Sequence, residues 1–308
     1  MTDPISASPS APPPAPPVRP AVVAISSQVA RGGVGTRALS FALERLGHPV
    51  WLVPTIFLPW HTGHGPSTRI VPPPELFAAA LEELAAMHAI AEVGAIVTGF
   101  LGSPAQAHTI ARFVAAAKKA NPAIRFVCDP VIGDIGGLYV AEATAEAVRD
   151  VLLPLADAAT PNAWELGWLT GKPVGTPAET VAAARALGPA QVLATSAPAM
   201  MRKALATILS GPDGALMAEH AALENAPSGT GDLIAALFTA ALLSGAPPET
   251  VLARATSATF EVVARSVRAG ADEMLFVPFQ DCLVRPMANI AVRRLAEPGR
   301  RAPAPLRR

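Results

Sequence analysis

Ala95-Ile-Val-Thr98, the Ala-rich window Pro104–Ala120 and Ile124-Arg-Phe-Val-Cys128 read in succession as strand, helix and strand. The run Ala95-Ile-Val is apolar without alternation, the pattern of a strand covered on both faces. A strand–helix–strand succession predicts a parallel sheet with helices packed against it. The same alternation continues outward in both directions. Strands are predicted at Val22–Ser26, Val50–Val53, Ala156–Thr160, Gln191–Thr195, Ala204–Leu209 and Ala215–His220. Helices are predicted at Thr36–Leu46, Pro74–Ile90, Glu142–Leu152, Asn162–Thr170 and Pro177–Leu187, then at Asp232–Ser244, Glu249–Arg268 and Phe279–Leu295. Pro74, Pro104 and Pro177 open their windows, where a missing N–H costs nothing. The late strands have no helix between them and are expected to form an antiparallel edge.

The chain has 308 residues, 51% hydrophobic and 16% charged, with 24 basic and 24 acidic side chains. Such an apolar fraction excludes a wholly disordered chain, and balanced charge argues against a nucleic-acid binder. The longest apolar run, Leu233–Leu243 with Thr239 inside it, is shorter than the ~20 residues of a membrane span. Cys128 and Cys282 have no metal or disulfide spacing and read as reduced thiols of a cytoplasmic protein. Eight of the 33 prolines fall in residues 1–20, expected to be a disordered, partly polyproline-II tail without signal or transit features. From Arg285 to Arg308 seven arginines face one acid, Glu297, so the remaining chain is acidic by about six charges. The expected organisation is one catalytic domain over 21–295, with a Pro-rich tail 1–20 and a basic tail 296–308.

Ligands of such a sheet bind at the carboxyl ends of its strands. Four segments lie there. Pro227-Ser-Gly-Thr-Gly-Asp232 runs directly into an apolar helix. Amides of Gly229, Thr230 and Gly231 at a helix N-terminus suit a phosphate, and Asp232 beside them suits a base that deprotonates an attacking alcohol. Asp232 could equally be a plain N-cap. Cys128-Asp-Pro-Val-Ile-Gly-Asp134 offers Asp129 and Asp134 for Mg²⁺, or simply a turn. Thr160-Pro-Asn-Ala-Trp-Glu165 offers Asn162 and Glu165 to a metal and phosphates, or as a capping box. Ile25-Ser-Ser-Gln-Val-Ala-Arg-Gly-Gly-Val-Gly35 is Gly-rich but matches neither the P-loop nor the dinucleotide spacing. His48, His88, His108 and His220 are scattered.

Together these segments resemble, in order, the pyridoxal kinases of the ribokinase-like superfamily. The narrower marks are Ile25-Ser-Ser27-x-Val, Arg45-Leu-Gly-x-x-Val-Trp51, His61-Thr62-Gly63-x-Gly65 and Gly99-Phe-Leu-Gly102. The resemblance implies a ribokinase-like three-layer α/β sandwich that phosphorylates the 5′ hydroxymethyl group of pyridoxal, with pyridoxine and pyridoxamine as co-substrates. It implies Asp232 as base, Gly229, Thr230 and Gly231 as anion hole, and Ser27, His61, Thr62, Gly63 and Phe100 around the vitamer. It implies Asp129, Thr160, Asn162, Glu165, Thr195 and Tyr139 around ATP, with Tyr139 on a lid formed by Gly136–Val140. Asp129, Asp134 and Glu165 would serve Mg²⁺; a monovalent cation is a further ion such kinases can use. A homodimer is implied, with no nucleic-acid or membrane partner. The chain departs from the family at Leu58-Pro-Trp60, where Phe-Ser-Asn is usual, at Phe100, where tyrosine is usual, and at His64, where an aromatic is common. The alternatives are a hydroxymethylpyrimidine kinase and a non-catalytic vitamer-binding protein.

Overall fold

A computed structural model describes residues 19–296. The segments expected to be disordered tails lie outside the described residues, apart from residues 19, 20 and 296. Twenty elements matter here. The strands are β1 (Ala21–Arg31), β2 (Val50–Trp60), β3 (Val93–Thr98), β4 (Arg125–Cys128), β5 (Gly133–Asp134), β6 (Gly137–Leu138), β7 (Ala158–Ala159), β8 (Gln191–Pro198), β9 (Ala204–Gly211), β10 (Gly214–Ala221) and β11 (Val292–Arg294). The helices are α1 (Thr36–Arg45), α2 (Pro74–Ala86), α3 (Pro104–Ala120), α4 (Glu142–Ala147), α5 (Ala163–Thr170), α6 (Pro177–Ala186), α7 (Thr230–Leu243), α8 (Pro248–Arg268) and α9 (Asp281–Val284).

Nine strands form one sheet in the order β11-β10-β9-β8-β7-β4-β3-β1-β2. The pairs from β2 through β8 are parallel; β9, β10 and β11 add an antiparallel edge. Side chains along β1 show why both faces are covered. Val22 and Ala24 pack with α1, α7 and α8, while Val23 and Ile25 pack with α2 and α3. All four are fully buried, as the period of two along a strand requires. Phe126 on β4 and Phe238 on α7 are the largest fully buried side chains, each worth roughly 1.5–3 kcal/mol of burial. This is the expected α/β sandwich. Among the described residues no helix is long and apolar enough to cross a membrane, and both cysteines are free and buried.

Several expected boundaries shift. The helix expected over Phe279–Leu295 is absent. α9 has four residues, and Val292–Arg294 instead pairs antiparallel with Ala218–Leu216 of β10. Pro286 cannot donate within a helix, and the buried carboxylate of Glu261 accepts from the N–H groups of Met287 and Ala288, fixing an irregular path. β2 runs to Trp60, through Pro54 and Pro59; it is the outer strand, where proline is tolerated. α2 stops at Ala86, followed by a 3₁₀ turn at His88–Glu92. α4 gives way to a π turn over Val148–Leu152. Pro74, Pro104 and Pro177 occupy helix first turns as expected.

Candidate active site

The carboxyl ends of five adjacent strands are laced together by backbone bonds. Gly99 N–H donates to Ile25 O at 2.9 Å, Asp129 N–H to Thr98 O at 3.0 Å, Thr160 N–H to Cys128 O at 3.1 Å, and Thr195 N–H to Pro161 O at 2.9 Å. The segments singled out in sequence after β1, β3, β4, β7 and β8 therefore lie side by side along one rim. The N-terminus of α7 meets that rim at its β1 side.

Asp232 is the third residue of α7, not its cap; Gly229 is the cap, with φ 95°. A Cβ on Gly229 would stand 2.1 Å from Gly33 O, so both the backbone angle and the close approach require glycine. The Asp232 carboxylate accepts from the backbone N–H groups of Gly35 and of Asp232 itself. Burial outweighs those bonds and pushes its carboxyl up to about 6. A carboxylate poised near neutrality beside free helix amides can take a proton from an alcohol and leave the amides for an anion.

At the other end of the rim, Asp129 is buried and its Oδ1 accepts from the Thr160 hydroxyl at 2.9 Å. Burial holds its carboxyl well above the ordinary range, with Glu165 and Asp232 adding like charge. Glu165 is also buried. Its Oε1 accepts from Ile132 N–H at 2.8 Å and Gly133 N–H at 3.4 Å, and its Oε2 from Asn162 N–H at 2.9 Å. Asn162 Oδ1 accepts from Glu165 N–H at 2.9 Å, completing a capping box, and Asn162 Nδ2 donates to Gly133 O at 2.8 Å. Burial still raises the Glu165 carboxyl to about 7. Asn162 and Glu165 thus bolt the 131–134 turn to α5.

Asp134 is exposed and accepts from Gly136 N–H at 2.8 Å. It pairs with Gly137 in the β5–β6 hairpin. Tyr139 follows that hairpin, half exposed, its hydroxyl held far above its usual range by burial and by Glu165, Asp129, Asp232 and Asp134. Thr195 is part-buried and bridges to Asn162. Among the described residues no three His, Cys, Asp or Glu side chains converge as a ready-made metal cage. The donors are hard carboxylate oxygens gathered with like charge, and Asp129 has one oxygen beyond its Thr160 bond. That set fits Mg²⁺, which binds through one or two carboxylates together with phosphates. Cys128 is excluded as a nucleophile, because burial pushes its thiol up to about 12.

The remaining predicted residues gather near α7. Ser27 is buried, and its carbonyl accepts from the Thr36 hydroxyl at 3.0 Å. The neighbouring Ser26 Oγ receives Phe100 N–H at 3.1 Å. Phe100 packs on Val29, Val34, Ile56 and Leu58, and the Arg69 guanidinium lies 5.9 Å from its ring centroid. His61 is part-buried, and its Nδ1 accepts from Gly63 N–H at 3.2 Å. Burial lowers its pKa, which favours the neutral ring. Thr62 and Gly63 are exposed, and a Cβ on Gly63 would stand 3.9 Å from Ser228 Oγ. The His61–Gly65 loop therefore borders the start of α7.

Sequence reading missed Gly35, which binds Asp232, although it quoted the glycine-rich run that contains it. It also missed Glu273, which carried no signal: it belongs to no motif and lies far along the chain.

A family model described as phosphomethylpyrimidine kinase matches residues 68–276. The chain is 41% identical over 265 residues to the pyridoxine/pyridoxal/pyridoxamine kinase of Bordetella bronchiseptica, covering 82% of this chain and 92% of that protein. It is 32% identical to the pyridoxal kinase PdxY of Corynebacterium diphtheriae, covering 89% of this chain and 99% of that one. Its structure is similar to that of the Leishmania donovani pyridoxal kinase in complex with ADP and pyridoxamine, with a TM-score of 0.83, 27% identity and coverage of 89% and 99%. On these likenesses, and on the motifs laid along its rim, the chain belongs to the phosphomethylpyrimidine kinase family and, within the ribokinase-like superfamily, to the pyridoxal kinases.

Proposed function

We propose that this chain transfers the γ-phosphoryl group of ATP to the 5′ hydroxymethyl group of pyridoxal, with pyridoxine and pyridoxamine as further substrates. The observation that carries this reading is the Asp232 carboxylate, raised to about 6 and held by Gly35 at the N-terminus of α7. In the proposed reaction Asp232 accepts the hydroxyl proton as the oxygen attacks. The amides of Gly229, Thr230 and Gly231 hold the charge on the transferring group, which needs positioning and electrostatic support more than covalent help. Ser27, His61, Thr62, Gly63 and Phe100 would surround the pyridine ring, and Phe100 would give it an apolar wall.

Thr160, Asn162, Thr195 and Tyr139 would line the nucleotide site, with the β5–β6 hairpin as a lid that excludes water. Asp129 and Asp134 would hold Mg²⁺ when it is bound, and the ion would offset phosphate charge. Glu165 would act on the ion at one remove, since its oxygens already receive backbone N–H groups. A monovalent cation, a homodimer and a cytoplasmic location complete the proposal, as does a single catalytic domain over 21–295. The relatives' names favour this reading over a pyrimidine substrate.

Asp232→Ala tests it. Turnover is expected to fall by about 10²–10⁴ with vitamer binding little changed. Turnover retained within threefold of wild type would refute the role of base.

A further inference from the structure

Three stretches far apart in the chain meet at one carboxylate. Glu273 lies in the connection after α8 with a side chain only 12% exposed. Its Oε1 is 2.7 Å from His64 Nε2 and 3.7 Å from Arg31. Its Oε2 accepts from Gly33 N–H at 3.1 Å. The contact is close-packed as well as polar. A Cβ on Gly32 would stand 2.7 Å from Glu273 Oε1, and one on Gly33 would stand 2.7 Å from the Phe276 ring. Asp272 beside it pairs with Arg31 at 2.8 Å, but both partners are more than half exposed, where such a pair contributes little.

The loop that Glu273 holds leads to the reacting groups. Gly33 O packs against Gly229, and Gly35 N–H donates to Asp232. The Gly35 end has its own anchor, because Thr36 bonds to Ser27 O. Asp272 also reaches both Arg31 and His64, the latter at 3.9 Å, but its side chain is 61% exposed; among the described residues Glu273, at 12%, is the more enclosed tie between the Arg31–Gly33 end and the His61–Gly65 loop. We infer that Glu273 is a positioning residue for the vitamer: it clasps residues 31–33 to His64 and so fixes the mouth of the substrate site. His64 stands where an aromatic is common in this family, so the clasp couples that departure to an acid more than 200 residues away in sequence.

The inference rests on the vitamer reading of the 25–35 and 61–65 loops. Glu273→Ala is expected to raise KM for pyridoxal about tenfold, with kcat and KM for ATP within about threefold of wild type, the signature of lost substrate positioning. Amide exchange across 31–35 and 61–65 should quicken in the same variant without any substrate present. Glu273→Gln keeps an acceptor for Gly33 N–H and should recover part of the KM; Asp272→Ala should change none of these. A pyridoxal KM unmoved in both Glu273 variants overturns the inference. So does a uniform loss of kcat and both KM values with a lowered unfolding midpoint, the pattern of plain destabilisation. If the wild-type protein turns over ATP with no vitamer, the functional reading itself fails. If turnover needs Asp232 but the Glu273 variants leave KM in place, only the clasp fails.

Discussion

The two ends of the active-site rim are built in different ways. The end proposed for the nucleotide is held by partners at most 33 residues apart: Asn162 with Glu165, Glu165 with Ile132, and Asp129 with Thr160. The end proposed for the vitamer is held by partners about 200 or more residues apart: Glu273 with Gly33 and His64, and Asp232 with Gly35. The first set of bonds ties the 131–134 turn to a single helix, α5. Long-range bonds form a mouth whose shape depends on three separate stretches, and the family departures at Trp60, His64 and Phe100 all lie on that side. The contrast implies that damage at the nucleotide end costs chemistry and stability, whereas damage at the vitamer end costs recognition.

The hardest blow to the contrast should come where the two ends share a part, the start of α7. Gly229→Val puts a side chain where Gly33 O already stands 2.1 Å from a Cβ, at a φ of 95°. Its kcat should drop by about 10² or more, since displaced amides no longer meet the transferring group; steady-state kinetics would show it.

Next in size is pH. As the proposed base Asp232 must be ionised to act, and burial raises it to about 6. kcat/KM should therefore fall about tenfold for each pH unit below that value. The stability sign is opposite. Asp232 and Glu165, raised to about 6 and about 7, hold protons more tightly folded than unfolded. They favour the fold at low pH, and that contribution is lost as pH rises through those values. Asp232→Asn should accordingly raise the unfolding midpoint at pH 8 while lowering turnover, a pairing that calorimetry and an assay would reveal.

Smaller again is Glu165→Ala. It strips the acceptor from three backbone N–H groups and should cost roughly 2 kcal/mol in denaturant unfolding. The Mg²⁺ concentration for half-activity should rise as the Asp129–Asp134 turn loosens. An unchanged Mg²⁺ requirement would leave Glu165 as a cap alone. The smallest effect belongs to Arg31→Ala, expected to leave the unfolding midpoint essentially unchanged because its partner Asp272 is exposed.

The same contrast explains what the sequence made legible. The parallel strands could be read because Val22–Ile25 and Ala95–Val97 are apolar on both faces, and the capping box because its partners stand three residues apart. β11 could not, since its strand character comes from pairing with β10 and not from its own Val-Arg-Arg. β2 was read short because Pro54 normally ends a strand, and only its outer place in the sheet excuses it. Asp232 could be singled out from the glycines around it, but its partner Gly35 needed the folded chain. Glu273 had no local pattern at all: its importance arises from geometry across the whole fold.

The most direct measurement is ATP turnover by the purified protein with Mg²⁺, supplied with pyridoxal, pyridoxine or pyridoxamine and challenged with hydroxymethylpyrimidine as competitor. ADP should form only with a vitamer, the product should carry phosphate on the 5′ oxygen, and the pyrimidine should compete weakly. ADP formation driven by the pyrimidine in preference to every vitamer, or by none of the four, would contradict it.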